Sequence, residues 1–262
     1  MQNSMICDMH VHTHFSCDSK ETIENYCLAA IEKGVYTICF TEHVDFNPND
    51  YGNGFYKAEA FFDEFLEMKE KYKNDVLLLS GLEFAEIHQY SDKVSSFESF
   101  PYDFLMCSIH FWYKDMFPSR MIRENIPIGT CYRYYWNEVL KAVKHGNFDC
   151  FGHIDFPKRY YKKTIFEKET LHEICSILIA KGICLEINTS SLRKGLTESM
   201  PDDDILSIYS SLGGKFVTVG SDAHSSDELA MDYLHAKKLI EHYNLQEVVF
   251  KNRKQNLILD FV

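Results

Sequence analysis

Several things are missing from this chain, and each absence narrows the field. No segment approaches the roughly 20 consecutive apolar residues that cross a bilayer, which argues against a membrane protein. The stretch Met1-Gln-Asn-Ser-Met-Ile lacks the basic start and apolar core of a secretory signal. The nine cysteines form no Cys-x-x-Cys pair, and Cys39, Cys107 and Cys150 sit inside apolar runs. They read as reduced core residues of a cytoplasmic protein, not as a disulfide framework. No cysteine opens a Cys-x5-Arg stretch, so thiol-based phosphate chemistry has no support. A Gly-rich phosphate loop and a dinucleotide fingerprint are absent too. There is no basic face: 27 Lys and Arg against 39 Asp and Glu give a net charge of -12, which disfavours a nucleic-acid partner. No linker, internal repeat or charge block divides the 262 residues, so a single domain over 1–262 is the economical expectation.

What is present is alternation. Apolar runs near 5–8, 36–41, 76–82, 104–109, 148–152, 183–187 and 215–220 read as strands. Helical spacing fills the gaps: Ile23, Cys27, Leu28 and Ile31 over 21–33; Phe61, Phe65, Met68 and Tyr72 over 58–72; Trp136, Val139, Leu140 and Val143 over 132–144. Leu171, Ile174, Cys175 and Leu178 mark another, and 202–212 and 227–243 supply the last two. Gly34 and Gly182 stand where two of these helices should stop. Strands alternating with helices predict parallel pairing, and short strands buried on both faces predict a barrel. The long loops 45–57 and 111–131 should overhang its mouth.

Histidines and acids fall where these strands end. Asp8-Met-His10-Val-His12 closes the first run, Glu42-His43 the second, Glu83 the third and His110 the fourth. His153 and Asp155 follow the fifth, and Asp222-Ala-His224 follows the last. On a strand, His-x-His points both rings to one side, so they can share an ion. Alone that pair says little, and Asp8 is either a strand-end acid or a partner that orients an imidazole. Glu83, ending a nearly all-apolar strand, needs a cation or a proton. Joint placement decides: six of the 12 histidines (His10, His12, His43, His110, His153, His224) fall on strand ends, while His14, His88, His145, His172, His235 and His242 fall mostly in helices or loops. Ligands after successive strands describe a ring at the C-terminal face of a barrel, where barrel enzymes keep their chemistry.

The ordered set Asp8-Met-His10-Val-His12, Asp18, Thr41-Glu42-His43, Gly81-Leu-Glu83, Ser108-Ile-His110, Gly152-His153-Ile-Asp155 and Gly220-Ser-Asp222-Ala-His224 resembles the PHP (polymerase and histidinol phosphatase) superfamily. Gly-His-Ile-Asp-Phe-Pro and Asn188-Thr-Ser-Ser-Leu-Arg193-Lys-Gly are most similar to its histidinol-phosphate phosphatase branch. The resemblance implies a distorted (β/α)7 TIM-like barrel and three divalent ions, zinc, manganese or iron. By position, His10, His12, Glu83 and Asp222 would hold the first ion. Glu83 would bridge to a second, held also by His110 and His153, and Asp18, His43 and His224 would hold the third. Some relatives carry histidine where this chain has Asp18.

Such a centre would leave the pocket locally positive inside an acidic protein, drawing in a phosphomonoester. The expected reaction is hydrolysis of L-histidinol phosphate, in histidine biosynthesis, by a hydroxide bridging two ions. Glu83, Asp222, His43 and Arg193 would carry the chemistry, with Arg159, Arg193 and His43 gripping the phosphate. Asp45, Glu86, Tyr90, Phe111 and Trp112 are candidates for the substrate's ammonium and imidazole, and His14 and His88 have at most minor roles. Three rivals stay open: a PHP phosphoesterase acting on nucleic acid or phosphotyrosine, an amidohydrolase-type barrel, and a non-enzymatic metal binder. The second commonly bridges its ions with a modified lysine, and here Glu83 holds that position.

Overall fold

Apolar runs become strands here because both of their faces are covered. The computed structural model describes residues 5–258. Seven strands lie parallel and in chain order: β1 (Ile6–Val11), β2 (Val35–Val44), β3 (Leu77–Ala85), β4 (Phe104–Ser108), β5 (Cys150–Phe151), β6 (Cys184–Asn188) and β7 (Phe216–Gly220). β1 meets the chain just beyond β7 through a parallel bridge between Val11 and Ala223. Asp222 N donates to His10 O over 2.8 Å and His12 N to Ala223 O over 2.9 Å. These bonds join the C-terminal end of β1 to the chain leaving β7, giving the distorted seven-stranded barrel that the alternation predicts. Part of the distortion is β5, which keeps two residues where five were expected.

Six longer helices cover the outside: α1 (Ile23–Lys33), α2 (Ala58–Lys71), α3 (Ile128–His145), α4 (Lys168–Lys181), α5 (Asp203–Ser211) and α6 (Tyr233–His242). Thr22 caps α1 by accepting from Asn25 N, and Gly34 ends it at φ 69°, a left-handed turn that glycine enters without steric cost. The buried face of α1 differs from the expected one. Ile23, Tyr26, Cys27 and Ala30 face the sheet, whereas Leu28 and Ile31 are about half exposed, at 52% and 49%. Among the described residues no helix is long and apolar enough to cross a membrane.

Two further strands were not anticipated. β8 (Gln246–Lys251) lies parallel to the start of β7, then turns into antiparallel β9 (Lys254–Leu257). Val248, Val249 and Phe250 pack with Cys7, Met9, Cys39, Leu79, Phe104, Met106, Cys150 and Cys184. The hairpin therefore joins the apolar core enclosed by the strands. Every cysteine is free and all but Cys17 are buried, as core thiols should be.

The two-residue period sorts each strand's inner face. Cys39, Thr41 and His43 share a face of β2, and Leu79, Gly81 and Glu83 share one of β3. Apolar side chains at the bottom give way to small ones and then to a possible ligand. The middle tier is tight: a Cβ on Gly81 would lie 3.0 Å from both Cys39 Sγ and Thr41 Cγ2, and one on Gly152 2.6 Å from Met106 Sδ. Packing below fixes the strands that aim the residues above.

Candidate active site

Between Asp8 and Val11, β1 uses one residue more than β2, since Asp8 pairs with Ile38 and Val11 with Phe40. Such a bulge re-aims side chains. His10 and His12 converge, with their Nε2 atoms 2.9 Å apart. Glu83 stands at the centre. Its Oε1 lies 2.8 Å from His153 Nε2 and 3.4 Å from His110 Nε2. Its Oε2 lies 3.0 Å from His43 Nδ1, 3.4 Å from His10 Nε2 and 3.6 Å from His12 Nε2. Asp222 Oδ1 is 3.6 Å from both His12 Nε2 and His224 Nδ1. Asp18 Oδ2 is 3.0 Å from His224 Nε2 and 3.5 Å from His43 Nε2. All nine residues expected as ligands come together.

Do these side chains suit metal ions? With bonds of 2.0–2.1 Å to nitrogen and oxygen, donors around one ion sit roughly 3.0–3.4 Å apart, and the separations of 2.8–3.6 Å around Glu83 bracket that spacing. Four overlapping groups bring their donor atoms within 4.8 Å: His10–His12–Glu83, His10–His153–Asp222, His43–Glu83–His110 and His12–His43–His224. His43 Nδ1, Glu83 Oε2 and His153 Nδ1 are buried without a hydrogen-bond partner, as atoms awaiting a cation would be. The donor set suits divalent ions.

The protein alone balances this charge with protons. Burial works against a charged His10, yet Glu186, Glu83 and Asp222 lift it well above the usual imidazole range. Burial, reinforced by His43, His224 and His10, holds His12 well below that range. Burial would raise Glu83, but the rings of His43, His10 and His110 hold it well below ordinary carboxylates. Bound cations would take over the role of those protons. His153 at φ 26° and Asp222 at φ 54° also occupy the left-handed region, sparsely used by residues with side chains.

Arg159 and Arg193 line a cavity of about 460 Å³ above the cluster, as do His43, Lys194, Asp45 and Asp50. Arg159 lies over the Phe156 ring, 5.1 Å from its centroid, and donates to Asp222 Oδ2 and, over 2.7 Å, to Ser190 Oγ. Asp222 is thus divided, Oδ1 toward the imidazoles and Oδ2 toward the guanidinium. Arg193 Nη2 donates to Asp222 O over 3.1 Å, and its Nε lies 3.2 Å from Glu228 Oε1.

The other candidates sort out by their partners. Asp8 is the strand-end acid of its two readings: it accepts from Ser221 N at 2.9 Å and Ala230 N at 2.8 Å, tying down the loop after β7. Glu186, which the sequence reading passed over inside an apolar strand, lies 2.6 Å from His10 Nδ1. Glu86 is buried, its carboxyl pushed up to about 8, and Oε1 accepts the N–H of His110 and Phe111. Phe111 is buried against Phe117, Tyr90 packs on Phe46, and Trp112 meets Tyr135 edge-on. Of those five loop candidates only Asp45 lines the cavity. His14 pairs with Glu64 at 3.2 Å and His88 with Glu138 at 2.9 Å, both outside the cluster.

A parallel barrel with an imidazole and carboxylate cluster at its C-terminal rim is the architecture of a metal-centred barrel enzyme. Residues 8–190 match the PHP domain, and the chain belongs to that family. It is 31% identical over 260 residues to a probable histidinol-phosphatase of Clostridium acetobutylicum, covering 95% of this chain and 98% of that one. A histidinol-phosphatase of Lactococcus lactis is 30% identical over 258 residues, 92% of each chain. The crystal structure of histidinol phosphate phosphatase from Lactococcus lactis, complexed with zinc, L-histidinol and phosphate, superposes with a TM-score of 0.83 at 28% identity. That match covers 96% of this chain and 98% of the other.

Proposed function

We propose that the protein is a metal-dependent phosphomonoesterase that hydrolyses L-histidinol phosphate to L-histidinol and phosphate in histidine biosynthesis. The observation that carries this reading is the near full-length match to an enzyme crystallised with zinc, L-histidinol and phosphate, on a chain where eight imidazole and carboxyl side chains form metal-sized groups and Asp18 joins them through His43 and His224. The ligand assignment is the one expected from sequence: His10, His12, Glu83 and Asp222 for one ion, Glu83, His110 and His153 for a second, Asp18, His43 and His224 for a third. Zinc, manganese and iron all suit such mixed ligation. When bound, such ions neutralise phosphoryl oxygens and make water a nucleophile near neutral pH.

The chain's own residues supply positioning. Arg159 and Arg193 present guanidinium groups to the phosphate, a bidentate match that lysine lacks. His43, on the cavity wall, would help to hold the phosphoryl group. Asp45 and Asp50 follow β2, whereas Arg159 follows β5, and Arg193 and Lys194 follow β6. In a ring of seven strands those positions face each other across the mouth. Arg159, Arg193 and Lys194 supply the cations of the cavity, partly balanced by Asp222 and Glu228, while Asp45 and Asp50 stand opposite; a small ester could place its phosphate on the first group and its ammonium on the second. Its acidic exterior disfavours nucleic acid, and a single cytoplasmic domain over 1–262 completes the reading.

The test is phosphate release from histidinol phosphate beside phosphotyrosine, a nucleoside monophosphate and a simple alkyl phosphate, with zinc or manganese supplied. Histidinol phosphate should give the highest kcat/KM, and a chelator should abolish turnover. Equal or better turnover of another ester would refute the substrate assignment.

A further inference from the structure

Glu186 sits mid-strand on β6, 0% exposed, one tier below the proposed ligands. Among the described residues no lysine or arginine lies within ion-pair distance of it, and its one partner of that kind is His10. An isolated buried carboxylate is costly, so its two oxygens must find specific donors. They do. Oε1 lies 2.6 Å from His10 Nδ1. Oε2 accepts the backbone N–H of His153 at 2.7 Å and Asn188 Nδ2 at 3.1 Å. Room for this side chain exists because position 220 is glycine: a Cβ there would lie 2.2 Å from Glu186 Oε1 and 2.5 Å from His10 Cβ.

We propose that Glu186 is a positioning residue that links two parts of the metal centre through hydrogen bonds to His10 and to the His153 backbone. With Nδ1–H donated to Oε1, His10 is locked in the tautomer that turns a free Nε2 lone pair toward His12 Nε2 and Glu83 Oε2, 2.9 and 3.4 Å away. The second oxygen holds the peptide of His153, whose φ of 26° needs such support, and so sets where that ring meets Glu83. One carboxylate thereby fixes residues assigned to two different ions. Both oxygens are occupied by N–H donors, which makes Glu186 a support and not a ligand.

The inference rests on the reading of His10 and His153 as metal ligands, and the experiment separates the two. Wild-type protein and Glu186→Gln are stripped, checked for native circular dichroism at 25 °C, and titrated with zinc against a chromophoric chelator. The amide of Gln offers one acceptor oxygen where three N–H donors converge, so the tightest zinc site should weaken about 10- to 100-fold. Wild-type protein that binds no zinc would defeat the ligand reading. Wild-type protein that binds zinc, with Glu186→Gln binding within twofold of it, would defeat the role of Glu186. Because that variant could fail to fold, long-range 1H–15N correlation on zinc-loaded wild-type protein gives an independent decision. His10 should be protonated at Nδ1, and a His10 protonated at Nε2 overturns the proposal.

Discussion

Adding one methyl group at Gly220 should damage the barrel far more than its size suggests. An alanine Cβ would lie 2.2 Å from Glu186 Oε1, where ordinary contact begins at 3.4 Å, so something must retreat by 3.4 - 2.2 = 1.2 Å. Neither side can move freely: His10 Cβ on β1 is 2.5 Å away, and Glu186 is held by donors 2.6 and 2.7 Å distant. Overpacking costs about 1–3 kcal/mol. A shift of that size also breaks a hydrogen bond to a charged group, worth about 1.5–3 kcal/mol. Together Gly220→Ala should destabilise by roughly 2.5–6 kcal/mol, a large share of the 5–15 kcal/mol typical of a domain. For a chain of this size that lowers Tm by at least about 5 °C. The assay is thermal unfolding of chelator-stripped protein, so that metal binding does not enter. Gly129→Ala is the control, because nothing lies within 4 Å of its Cβ and alanine favours helix α3 by up to about 1 kcal/mol. If the two variants melt within a degree of each other, the steric argument is wrong.

Other side chains make separable predictions. Glu83→Ala should cost more metal affinity than the roughly 10- to 100-fold attached to an outer hydrogen bond, because its two oxygens serve five histidines; full metal content by elemental analysis, or unimpaired phosphatase activity, would count against the shared role. Arg193→Ala should lower kcat/KM for the phosphate ester by about 10- to 100-fold, the loss of one charge-assisted hydrogen bond, with metal content unchanged. Unaltered kinetics would remove Arg193 from phosphate binding.

How much of this could be read from the chain alone depended on whether a signal was local. The helices with an apolar stripe and a terminal glycine, such as α4 with Leu171, Ile174, Cys175, Leu178 and Gly182, stood out because periodicity is local. The histidines and Glu83 stood out because polar groups after apolar runs are conspicuous. Glu186 gave the same kind of signal, a lone acid in Ile183-Cys-Leu-Glu-Ile, but it lies within its strand and so did not look like a rim residue. Tyr90 and Trp112 misled for the opposite reason: aromatic side chains in a long loop can fold back onto the core, and these do. The β8–β9 hairpin escaped because its β8 segment, Gln246–Lys251, carries only four consecutive buried residues and follows the last motif.

Barrel closure and site assembly are one event in this molecule. The backbone bonds that join β1 to the end of β7 run from Asp222 N to His10 O and from His12 N to Ala223 O. Three of those four residues are proposed ligands, and the fourth, Ala223, adjoins one on each side. Tyr26, on the buried face of α1, sets its hydroxyl 3.0 Å from His12 O and 3.1 Å from Ala223 O, pinning the seam from outside. The alignment of that seam fixes the 3.6 Å separation of His12 Nε2 and Asp222 Oδ1, groups that stand at opposite ends of the domain's sequence. A slip of one residue would turn the ligand side chains away from the mouth. Two irregular places, the bulge in β1 and the positive φ at Asp222, lie on either side of this seam. A regular barrel would need neither, so the distortion is part of how the cluster is assembled.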